Sequence, residues 1–245
     1  MLAMRQQHAD LETAREFYAS MAKTLQPEFV AAVASSLETK GTLLRRQIEG
    51  GIDSSSLSDL LTLFFGFRRK RGKLLAAVDG EWLSSTLARL QSDPVGALEA
   101  LANDDPDDQL RLFDLGTEVL HALEPEHFPL WTRWIFDPEA ETGALLLLLD
   151  DETDLFGHSR LDTYGRLREV NEYLIHTLYA AGMPVDPLRP FTLDVFLAGV
   201  YGVYVNTVLQ MRMSKEFNKL LPELGEFTQR LLGTKTLGVN GAGSR

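Results

Sequence analysis

At 245 residues, with 44% hydrophobic and 24% charged, the chain is long and apolar enough to bury a sizeable core, so it is not disordered overall. Its formal net charge of −11 repels phosphate backbones at long range and disfavours nucleic acid as a partner. It has no cysteine, which excludes a disulfide framework, thiolate catalysis and any zinc or iron–sulfur site that needs cysteine ligands.

Residues 1–25 carry Arg5, Asp10, Glu12, Arg15 and Glu16 with no continuous apolar run. That is unlike a secretory leader, and the expected location is the cytoplasm. Asp10 is placed to cap a first helix, whose apolar positions Leu11, Ala14, Tyr18, Met21 and Leu25 alternate by three and four. Pro27 starts a second helix through Lys40; Gly41 is expected to punctuate it before a shorter piece with Leu43, Leu44 and Ile48. Leu57 to Phe67 reads as a third helix, running into Arg68-Arg69-Lys70-Arg71-Gly72-Lys73. Further helices follow over Gly80–Leu90 and from Pro94 to near Ala102. The acidic loop at 103–108 is the expected division if the single helical domain, 1–232, splits into two sub-bundles.

Leu110 to Leu123 continues as a helix, followed by a proline- and aromatic-rich connection from Glu124 to Trp134. The short apolar run Ala144–Leu149 leaves room for a small hairpin at 131–149. Asp162 is read as the cap of a long helix ending at Gly182, and Pro184, Pro187 and Pro190 delay the next start until Phe191. The helix at about 191–213 is apolar all round, so it is expected at the centre of the fold rather than across a bilayer. Asp194, Asn206 and Gln210 count against a membrane span. A last amphipathic segment carries Phe217, Leu220, Leu224, Phe227 and Leu231, and 233–245 reads as a flexible tail. The fold class is therefore all-α, with roughly ten helices packed around the central one.

Three groups of residues invite a functional reading. The basic run Arg68, Arg69, Lys70, Arg71 and Lys73 follows Phe64, Phe65 and Phe67, a pattern suited to an anionic partner. His176, four residues after Glu172, could face Tyr201, Tyr204 and Asn206 of the central helix across a buried pocket. His121 and His127 flank Glu124 and Glu126, but Pro125 breaks the spacing a helical metal site needs, so no metal or other cofactor is implied. No phosphate loop, nucleophile elbow or paired-carboxylate signature appears, which leans against an enzyme.

The reading these residues favour is a non-enzymatic helical accessory protein. It would bind a partner protein through a helix face and the local basic run. An enzyme or small-ligand-binding protein with a buried site on the central helix is the alternative, and a nucleic-acid-associated protein using the basic run is the third. The oligomeric state is open.

Overall fold

The computed structural model describes residues 8–103, 110–212 and 222–235. Among them are eleven helices: α1 (Leu11–Met21), α2 (Pro27–Glu49), α3 (Ser54–Thr62), α4 (Phe65–Arg68), α5 (Arg71–Ala77), α6 (Gly80–Arg89), α7 (Pro94–Asn103), α8 (Leu112–Leu123), α9 (Arg160–Ala180), α10 (Phe191–Arg212) and α11 (Leu224–Leu231). The fold is all-helical, with no strand in the described residues.

The centre is a crossing of three helices. α10 packs against α1, α2 and α11, while α2 also packs against α8. All twelve residues of α8 are buried. The first ten of α10 are buried too, from Phe191 to Val200. By length and composition Phe191–Leu209 would also pass as a membrane span. Its apolar first half instead fills the core, as a helix with no polar stripe must do in a folded domain.

Local signals explain several boundaries. Asp10 accepts from the Thr13 amide at the start of α1, and Pro27 occupies the first turn of α2. Gly182, with φ +80°, ends the chain's turn after α9. Four expectations need correction. α2 does not stop at Gly41 but runs on to Glu49, because the glycine lets α8 approach: a Cβ there would lie closer than 3.0 Å to the Ala122 carbonyl oxygen. The third helix breaks at residues 63–64, so α3 and α4 are separate elements. α9 begins at Arg160 with Ser159 as its cap, and Asp162 instead sits in the first turn. The 131–149 segment forms no paired strands. It has two isolated bridges, Asp137 with Thr142 and Leu149 with Ala9 near the start of the chain, and bonds from the Ala144 and Leu145 amides to the Trp134 and Ile135 carbonyls.

The connection after α8 is as compact as its composition suggests. Trp131 stacks on Tyr164 at 6.0 Å and meets Phe113 edge-on at 5.3 Å. Its indole N–H donates to the Phe136 carbonyl, and the Tyr164 hydroxyl to Pro129. Arg45 of α2 donates to the Leu123 carbonyl, satisfying one acceptor at the end of α8. All of the expected acidic loop at 103–108 but Asn103, the segment 213–221 with Phe217 and Leu220, and 236–245 lie outside the described residues. Gly233 and Thr234, the first residues of the expected tail that are described, are buried against α3, α4 and α11.

Candidate functional site

The basic run folds into α4, a turn and α5, and its members part company. Arg68, Arg69 and Lys70 line a groove of about 680 Å³. Arg71 and Lys73 are exposed on α5 and do not line it. Across the groove stand residues from the far end of the chain: Phe227, Arg230 and Leu231 of α11, then Lys235. The floor is apolar, made of Phe65, Phe227 and Leu231, and Phe65 is 48% exposed. The rim is cationic on both sides. Arg230 and Lys235 share one carboxylate, Glu226, whose pKa their hydrogen bonds hold below the ordinary value. The Arg68 guanidinium also donates to the Thr62 carbonyl at 3.1 Å, tying α4 to α3.

Next to this groove runs a row of buried ionisable side chains. Asp114, Glu118 and His121 sit four and three residues apart on α8, so they share a face. Each meets a partner from another element. Arg133 binds Asp114 at 3.3 Å and Asp137 at 2.9 Å. Glu118 feels the positive charge of Lys40 on α2, whose ammonium lies 4.3 Å from the Phe64 ring centroid. His121 Nε2 lies 2.7 Å from Asp194 Oδ2 on α10, and Nδ1 lies 2.7 Å from the Phe128 carbonyl oxygen. A carbonyl only accepts, so Nδ1 carries a proton, and a further proton lies between Nε2 and Asp194.

Burial governs the titration of Asp114, Glu118 and Lys40. It pushes the Glu118 carboxyl up to about 7, with Lys40 pulling the other way. It raises Asp114 against the pull of Arg133, and lowers Lys40 against the pull of Glu118 and Asp194. A cavity of about 20 Å³ among Lys40, Glu118, Thr132 and Asp194 has room for one water-sized group and none for a substrate.

The other expected pocket does not assemble. Tyr201 and Tyr204 are neighbours, with ring centroids 6.3 Å apart, and Tyr201 also meets Trp134. Asn206 lies a turn further on and is half-buried. His176 is elsewhere: exposed on α9, it lines a different cavity of about 450 Å³ with Glu172, His121, His127 and Arg168. The reason is that α9 packs on α7, not on the face of α10 that carries the tyrosines. His121 already has both ring nitrogens engaged, so it is not available to a metal with His127. The ligand atoms of His8, Asp150 and Glu152 lie within 4.8 Å of one another, but Glu152 is exposed and Asp150 accepts from Thr153, as in a solvated cluster.

Sequence reasoning missed Arg230 and Lys235, which join the basic run only in three dimensions. It also missed the role of Asp114 and Glu118. The signal there was available: two acids and a histidine at helical spacing on an otherwise apolar helix. No family model matches the chain, and neither a curated protein nor a solved structure matches it.

Proposed function

We propose that this protein is a non-enzymatic accessory protein of the cytoplasm that holds an acidic, amphipathic segment of a partner protein in the groove between α4 and α11. The observation that carries this reading is the groove itself. Basic residues from two distant parts of the chain, Arg68, Arg69 and Lys70 on one side and Arg230 and Lys235 on the other, flank an apolar floor. Apolar burial supplies affinity in such a groove, and the charged rim selects the partner and speeds encounter. The net charge of −11 adds contrast, because the chain as a whole repels an acidic partner. The same net charge disfavours nucleic acid. The small cavity at Lys40, Glu118, Thr132 and Asp194 lacks room for a substrate.

The test places a photo-crosslinking p-benzoylphenylalanine at Phe65 in the full-length protein, expressed in its native host. One partner is expected, cross-linked through a segment rich in Asp or Glu and in apolar residues. The adduct should vanish when Arg69→Glu and Lys235→Glu are added. An adduct indifferent to that charge reversal, or none at all, overturns the reading.

A further inference from the structure

Two of the buried charges lie directly beneath the groove. Glu118 Oε1 is 3.9 Å from the point where a Cβ on Gly66 would stand, and Lys40 Nζ is 3.8 Å from the same point on Gly233. Both glycines line the groove, Gly66 from α4 and Gly233 from the turn after α11, and neither has a side chain of its own to screen the charge below. The Lys40 ammonium also lies against the ring of Phe64, whose neighbour Phe65 is part of the floor.

This pair differs from the other buried charges. Asp114 is held by Arg133, and His121 by Asp194 and the Phe128 carbonyl. Glu118 and Lys40 make no hydrogen bond among the described residues, so a proton can join the pair without breaking one there. Glu118 feels Lys40 from α2, and Asp114 and His121 along its own helix. Lys40 also feels Asp194 of α10 and Arg68 of α4. Lys70, Arg111 and Arg133 share with Glu118 the lining of a chamber of about 330 Å³, where Arg133 holds Asp137. Gly66 and Thr142, both exposed, line it too, which gives protons a path to the carboxyl. Burial brings that carboxyl to about 7. No histidine lines the groove, and the carboxylates of a partner ordinarily titrate far lower. Glu118 therefore changes the charge beneath the groove near neutral pH.

We propose that the groove is a proton-linked site: an acidic segment bound there makes the Glu118 carboxylate take up a proton from solvent, and the segment binds more tightly as pH falls. The proposal rests on the reading of the groove as the partner site. Its sign follows from charge. An anion above Glu118 disfavours the carboxylate, so the protein keeps that proton to higher pH with the segment bound than without it. By linkage, affinity is greatest where Glu118 is already protonated and falls as pH rises through neutrality.

Fluorescence anisotropy of the full chain with a short synthetic peptide of glutamate and leucine, carrying a rhodamine label, tests it at pH 6 and pH 8. The dissociation constant is expected to be about fivefold lower at pH 6. Glu118→Gln should bind equally at both, within about twofold. Calorimetry of the wild type in HEPES and in Tris, at one pH near neutrality, should show uptake of part of a proton on binding. That measurement carries the test should Glu118→Gln lose the wild-type unfolding midpoint. Equal affinity at pH 6 and pH 8, a pH dependence that survives Glu118→Gln, or no net proton uptake overturns this proposal alone. Lack of binding at either pH, or binding unaffected by Arg69→Glu with Lys235→Glu, overturns the groove reading and the proposal with it.

Discussion

Glu118 is the residue whose ionisation most directly affects stability. Its carboxyl is pushed up to about 7 from an ordinary 4.5, chiefly by burial. Between those values the native state keeps a proton that the unfolded chain has released. Its contribution is therefore fully present below about pH 4.5 and is lost as pH rises through about 7. Urea unfolding of wild type and Glu118→Gln between pH 5 and 8 measures this: the wild type should lose stability relative to the variant as pH rises. A difference that is flat, or of opposite sign, would show that Glu118 is not desolvated as the fold implies. Lys40 is the complementary case. Lys40→Met leaves Glu118 beside Asp114 without its countercharge, at a cost of the order of 3 kcal/mol. Lys40→Met with Glu118→Leu should recover most of that, since a buried pair replaced by apolar groups is often neutral. A double variant less stable than Lys40→Met would mean that the pair is net stabilising. The residue types were visible in the chain, but their pairing was not. Asp114 is 19 residues from Arg133, and His121 is 73 from Asp194.

At the scale of helices, small residues decide how closely elements approach. The central helix carries Gly199 and Gly202 where neighbouring helices pack close. A Cβ at Gly199 would meet Met21 and Leu25, and one at Gly202 would meet Leu224 and Phe227. Gly41 looked like a stop signal and is instead the contact point of α2 with α8. The two kinds of contact differ in consequence. Gly41→Ala drives a methyl into the Ala122 backbone, which cannot turn away, and should cost about 2–3 kcal/mol even though alanine is the better helix former. Gly199→Ala meets only the ends of flexible side chains and should change stability by no more than about 1 kcal/mol. Thermal unfolding of both variants checks the contrast; equal losses would contradict it. Helix ends with chemical signals, at Asp10, Pro27 and Gly182, were legible. The break between α3 and α4 was not, because residues 63 and 64 are Leu and Phe, with neither proline nor glycine where the helix stops. In the 131–149 segment Pro138 and Gly143 mark a turn, but they do not say whether strands pair across it.

For the whole molecule, charge distribution sets behaviour. An acidic body with a local basic groove should capture an acidic partner by long-range steering. With the cross-linked partner in hand, raising the ionic strength should slow association markedly and leave dissociation nearly unchanged. Stopped-flow rates would show it; a salt-insensitive association rate would make the groove an apolar contact with incidental charges. The chain by itself determined that the protein is helical, that it has a large core and that the apolar first half of the helix at 191–212 lies within it. Periodicity, caps and hydrophobicity are local properties, and they act within a few residues. Only the tertiary structure decided which charges meet. It set Arg230 and Lys235 opposite Arg69, separated His176 from Tyr201, and buried Asp114, Glu118 and His121 against partners from three other segments. Those contacts depend on how helices cross, and the crossings are fixed by packing between residues far apart in the chain.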